Sequence, residues 1–116
     1  MNGFHKQEIP IIIKTYDLYK VYYSYLELFP KKDKYALGKK NEEFIINFLE
    51  LILTAKGAAK DTKKTIIGQA SVKLDLIKIF IRLEKDFKLI DQKKYLVIEN
   101  QLQEIGRMLG GWQKSI

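Results

Sequence analysis

Apolar residues recur along this chain at three- and four-residue spacing, the repeat of amphipathic helices rather than the alternation of half-buried strands. The first such segment lies between Pro10 and Pro30 and carries two apolar lines. One is Ile12, Tyr16, Tyr19, Tyr23 and Leu26; the other is Ile11, Leu18, Tyr22, Tyr25 and Phe29. Pro10 suits the first turn of a helix and Pro30 stops one, so a helix is expected over about 10–29. After the link PKKD, with Asp33 a fitting N-cap, a second helix is expected over 34–56, ending at the turn signal Gly57. Its main line is Leu37, Phe44, Phe48, Leu51 and Ala55, with Ile45, Leu49 and Ile52 beside it. A third, over 62–88, follows the cap-like Asp61-Thr62. It shows Ala70, Leu74, Ile77 and Ile81 on one line and Val72, Leu76, Phe80, Leu83 and Phe87 on another. Asp91 is placed to cap a fourth, over 92–113, whose stripe is Tyr95, Ile98, Leu102, Ile105, Leu109 and Trp112.

Four helices of about 20 residues, each about 30 Å long and joined by short links, predict an all-α, antiparallel up-down-up-down four-helix bundle. One domain spanning residues 1–116 is expected. A monomeric bundle buries one stripe per helix, so the doubled lines predict a homo-oligomer, with an unusually wide core as the alternative. The last segment, EIGRMLGGWQKSI, adds a further expectation. Glycine inside a helix costs about 1 kcal/mol relative to alanine. Gly106 and Gly110 lie four apart on one face, where they would admit a neighbouring backbone, within or between protomers, with Trp112 closing the seam. Gly111 is also placed to end the helix in a left-handed cap.

Composition narrows the function. The chain has no cysteine and a single histidine, His5, so thiolate metal sites, zinc centres and histidine-based triads lack their parts. No glycine-rich phosphate loop joins a strand to a helix. Asp75, Glu84, Glu99 and Glu104 fall beside lysines such as Lys78 and Lys88 and read as helix-surface ion pairs. No Glu-x-x-His pattern of a di-metal bundle occurs. The expectation is therefore a protein that is not an enzyme and needs no cofactor or metal. The start MNGFHKQEIP contains no signal-type apolar run, and FIINFLELILTA is too short and polar to span a bilayer. A soluble cytoplasmic protein without membrane contact is expected.

The charge balance points to polyanions. Against 14 acidic residues stand 21 lysines and arginines, for a net charge of +7, and the pI is near 9.5. In the expected bundle the first and third links share an end. Lys31, Lys32, Lys34, Lys39 and Lys40 thus approach Lys85, Lys88, Lys93 and Lys94, interleaved with Tyr35 and Tyr95, a combination suited to unpaired bases and their phosphates. The opposite end, with Lys56, Lys60, Lys63 and Lys64, is basic too, and a merely solubilising lysine surface is the plainer alternative. Arg82 and Arg107 are the two arginines, both off the main stripes. A guanidinium fork suits phosphate or carboxylate, and Arg107, next to Gly106, is a candidate for a subunit junction or a channel.

The opening IPIIIKTYDLYKVYYSYLELFPKKDKYALGKK and the closing LQEIGRMLGGW resemble the accessory variability determinant (Avd) proteins of diversity-generating retroelements. The likeness runs from about Ile9 to Trp112. The wider family includes four-helix proteins encoded in intervening sequences of bacterial ribosomal RNA genes. Those carry an arginine pair and a stretch like SIPANIAEG where this chain reads FIINFLELILTA. The resemblance implies a four-helix protomer in a ring-shaped homopentamer with a positive surface. It also implies association with the element's reverse transcriptase and with template RNA or cDNA. It carries over best at Arg107 and the Lys31–Lys40 cluster; an extended basic tail after Trp112 is not expected to contribute. A ribosomal-RNA-associated protein and a purely structural bundle are the alternatives.

Overall fold

Pro10 falls in the first turn of α1 (Glu8–Leu26), where a missing N–H removes no helical bond. The computed structural model describes residues 8–116; His5 lies outside them. The helix ends at Leu26 rather than near Phe29, because the residue before a proline is held out of the helical region. The chain leaves through turn bonds from Leu28 N to the Tyr25 carbonyl and from Phe29 N to the Leu26 carbonyl. Phe29 still packs into the core from the link.

Pro30, extended at φ −54° and ψ 147°, then opens a continuous helical stretch. It consists of α2 (Lys31–Asp33), a π-helical turn (Lys34–Gly38) and α3 (Lys39–Lys56). The expected cap at Asp33 is not formed: this residue is helical at φ −76° and ψ −32° and makes no side-chain capping bond. Pro30 already fills the position, its carbonyl accepting from Lys34 N at 2.9 Å. Gly57 ends α3 as expected.

The next helix, α4 (Lys60–Asp86), starts after extended Ala59 without a side-chain cap. Asp61, expected as part of the cap, instead lies in the first turn, where its charge complements the helix dipole. At the far end Leu89 N donates to the Glu84 carbonyl and Lys88 N to the Lys85 carbonyl, with Lys88 at φ 64°. This is a Schellman ending, and it stops the helix two residues before the expected Lys88. Asp91 does cap α5 (Gln92–Lys114), accepting from Lys94 N at 2.8 Å. Gly111 does not end α5; the helix runs on to Lys114, and Ser115 closes it.

Cross-helix contacts fix the direction of three of the neighbouring pairs. Between α1 and α3, Tyr22 meets Gly38 and Tyr19 meets Glu42. Between α1 and α5, Tyr25 meets Lys94 while Lys14 meets Glu104. Rising numbers on one helix pair with falling numbers on the other, so both pairs are antiparallel. The α4–α5 pair, with Lys85 over Tyr95 and Lys63 near Trp112, follows the same rule. Among the described residues the architecture is thus four long helices in one bundle, 44 × 23 × 21 Å, with no strand.

On α1, α4 and α5 the core takes mainly one line, while α3 buries both, Phe44, Phe48 and Ala55 with Ile45 and Ile52 beside them. On α1 it is the second line: Ile11, Leu18, Tyr22 and Tyr25 are buried, while Tyr16 and Tyr23 of the first are exposed. On α4, Ala70, Leu74, Ile77 and Ile81 are buried, and Val72 and Phe87 of the second line are exposed. The α5 stripe from Ile98 to Trp112 is buried throughout. Each such aliphatic or aromatic side chain contributes about 1.5–3 kcal/mol. Gly106 and Gly110 of α5 do not serve a close contact inside this bundle. A Cβ on Gly106 would lie in ordinary contact, 3.5 Å from Lys78 Nζ, and one on Gly110 would meet nothing within 4 Å.

Candidate nucleic-acid interface

The close backbone contact is at Gly38 instead. A Cβ there would stand 2.5 Å from Leu26 Cδ2, 3.1 Å from Phe29 Cδ2 and 3.3 Å from the Asp33 carbonyl. Gly38 closes the π-helical turn, and this turn presses its backbone on the end of α1. Such turns, with their widened hydrogen bonding, occur often at functional sites.

Beneath it lies a buried polar group. Tyr22 donates to Glu84 Oε2 at 2.5 Å, and its oxygen is 3.4 Å from the Gly38 carbonyl. Asn41 is buried beside them, its amide atoms without a hydrogen bond of good geometry. Burial raises the Glu84 carboxyl to about 8, against the smaller opposing effects of Tyr22 and Asn41. Burial and then the nearby Glu84 charge likewise raise the Tyr22 hydroxyl far above its ordinary value. Glu84 is therefore not the surface ion-pair member expected from its lysine neighbours. It continues the buried line Leu74, Ile77, Ile81 by three residues. Glu104 does form an ion pair, but across helices, with Lys14 at 3.2 Å.

These contacts bring the two lysine-bearing links together at one end. Tyr22 of α1 reaches both the π turn and α4, and Tyr25 donates to the Lys94 carbonyl at 3.1 Å. Lys31, Lys32, Lys39 and Lys40 are exposed, as are Lys88 and Lys93 in and after the third link. Three ammonium groups rest on rings: Lys34 5.9 Å from the Tyr35 centroid, Lys40 5.4 Å from Phe44 and Lys85 4.8 Å from Tyr95. Lys94 is drawn to Asp91 at 4.0 Å.

The arginines behave differently. Arg82 lies near this end, but its Nε donates to Asp86 on its own helix at 3.2 Å. Arg107 is exposed on α5 beyond Gly106. It stands 15 residues after Gln92, about 22 Å along the helix, and so away from the lysine cluster. Trp112 closes the core at the opposite end, with Lys63 5.9 Å from its ring.

Sequence reasoning missed a cleft in this end, between α1 and the π turn. It has a volume of about 270 Å³ and is lined by Tyr23, Leu26, Glu27, Lys34, Tyr35, Lys39 and Glu42. Tyr19 donates to Glu42 Oε2 at 2.8 Å, and this hydrogen bond raises the Tyr19 hydroxyl above its ordinary range. The signal in the sequence was the pair Lys34-Tyr35 with Gly38 three residues on, within a helical repeat.

Fold and surface together define a helical-bundle protein with a lysine- and tyrosine-rich end. Residues 10–116 match the family described as bAvd-like, and the chain belongs to that family. Comparison with curated proteins returns no match. Family membership agrees with the Avd likeness of the two terminal stretches. Among the described residues no group of acidic or histidine side chains is arranged to hold a metal ion, and no helix is long and apolar enough to cross a membrane.

Proposed function

We propose that this chain is a non-catalytic accessory protein of a diversity-generating retroelement. It binds the element's reverse transcriptase and template RNA or cDNA in the cytoplasm and so supports mutagenic reverse transcription. Membership of the bAvd-like family supports the accessory role. The observation that carries nucleic-acid binding is the meeting of two lysine-bearing links around Tyr35 and Tyr95 at one end of the bundle. Ammonium groups on flexible stems meet phosphates without reading sequence, and exposed rings stack on unpaired bases.

Self-assembly into a ring-shaped homopentamer belongs to the same reading. The apolar residues left over by the core, including Ile13 and Tyr16 on α1 and Val72 and Ile79 on α4, stay exposed in the protomer. Faces of this kind are buried by association. Arg107, remote from the Lys31–Lys40 cluster, is assigned to contact with the reverse transcriptase or another protomer.

The test replaces Lys31, Lys32, Lys34, Lys39 and Lys40 together by glutamine and measures single-stranded RNA binding over a range of salt. Each phosphate that is no longer neutralised takes about 0.7 off the slope of log affinity against log salt. The variant should bind more weakly with a flatter slope, while Arg107→Ala keeps RNA affinity and weakens protein association. An unchanged affinity and slope would move the site to the Lys56–Lys64 end.

A further inference from the structure

We infer that the cleft between α1 and the π-helical turn receives one unpaired nucleobase of a single strand, stacked between Tyr23 and Tyr35. This rests on the reading of the basic end as a nucleic-acid interface and adds to it a specific pocket. Both rings line the cleft and both are largely uncovered, Tyr23 at 54% and Tyr35 at 64% exposure. Two large aromatic surfaces left open in the lining of one small cavity have no role in the core. The Tyr23 ring packs 6.2 Å from that of Tyr19, and Tyr19 is anchored through its hydroxyl to Glu42.

The polar lining matches a nucleotide more closely than other ligands. Lys34 and Lys39 stand at the same cleft, beside exposed Lys31, Lys32 and Lys40, and supply cations for the phosphates on either side of an inserted base. Glu27 and Glu42 supply acceptors for exocyclic amino groups, which adenine, cytosine and guanine present on their base-pairing edges. An arginine or lysine side chain of a protein partner would also find rings and carboxylates here, but would meet the charges of Lys34 and Lys39. A base is neutral and planar, and suits a lining of two cations and two anions. A duplex keeps its bases stacked inside, so the pocket selects single strands, loops and splayed ends.

The experiment compares a short oligoadenylate with an abasic strand of equal length, both fluorescently labelled, on the full chain at several salt concentrations. The parent should bind the adenylate at least about 10-fold more tightly, as expected for one stacked base. Tyr35→Ala should close most of that gap and leave the salt slope unchanged, while Tyr35→Phe keeps it. Because Tyr35 is exposed, the substitution leaves the core intact, and an unchanged melting temperature verifies this. Equal binding of both strands by the parent would overturn the pocket while leaving the electrostatic interface standing. Absence of any binding by the parent would overturn the interface and the pocket together. If Tyr35→Ala keeps the gap between strands but abolishes capture of the reverse transcriptase, the pocket holds a protein side chain and the inference is wrong.

Discussion

The two ends of the bundle contain the same kinds of residue, glycines in a helix, aromatic rings and lysines, yet they are built differently. At one end Gly38 is pressed on Leu26 and Phe29, a π-helical turn widens the helix, and three polar side chains are buried below. At the other, Gly110 faces open space and Trp112 fills the core in a regular helix. A glycine in a helix therefore marks close approach only where a neighbouring element lies over it. The irregular end keeps costs that the regular end avoids, namely a buried carboxyl, a buried amide without a well-formed hydrogen bond and a widened turn. Such departures from local rules concentrate where a surface is shaped for a partner.

The difference should be largest in its response to pH. Glu84 has a pKa of about 8 in the fold against 4.5 when exposed. The folded state thus holds a proton that the unfolded chain has released. Stability should be greatest below about pH 4.5, fall as pH rises towards 8 and level off above it, other carboxylates aside. Glu84→Gln removes this dependence and should stabilise the protein at pH 7 by about 2–4 kcal/mol. Chemical denaturation of parent and variant at several pH values reads the effect. A parent whose stability, relative to the variant, does not fall between about pH 5 and about pH 8 would contradict the burial of a neutral carboxyl.

The glycines give the next contrast. Gly38→Ala should destabilise by about 1–3 kcal/mol through overpacking, since Leu26, the Phe29 ring edge and the Asp33 carbonyl would all have to give way together. Gly110→Ala should stabilise a protomer slightly, by about 0.5–1 kcal/mol, from helix propensity. Thermal unfolding of both variants compares them directly. If Gly110→Ala instead breaks up an oligomer in light scattering, the α5 glycines face a neighbouring protomer.

Much of this fold was legible from spacing: four helices, the α5 stripe and the Asp91 cap. Periodicity could not choose between the two lines of α1. Both are rich in tyrosine, and the buried one includes Thr15, which satisfies itself on the Ile11 carbonyl at 2.8 Å. Helix starts at Lys31 and Lys60 were displaced because extended Pro30 and Ala59 took the cap position without a side-chain bond. The lysine cluster was legible from topology, since short links place alternate loops at one end. The cleft was not, because it depends on the π turn, and one extra residue per turn leaves no periodic trace over five residues. Glu84 was readable in principle: it sits in register with Ile77 and Ile81, but its charge type argued for the surface.

The central claim is that nucleic acid meets the π-turn end and not the Trp112 end. Lysine-reactive footprinting of the full chain, with and without single-stranded RNA and read by mass spectrometry, tests it directly. Lys31, Lys32, Lys39, Lys40 and Lys93 are exposed at the first end, and Lys60, Lys64 and Lys114 at the second. RNA should protect the first group several-fold and leave the second reactive. Protection of Lys60, Lys64 and Lys114 with Lys31–Lys40 still reactive would contradict the assignment.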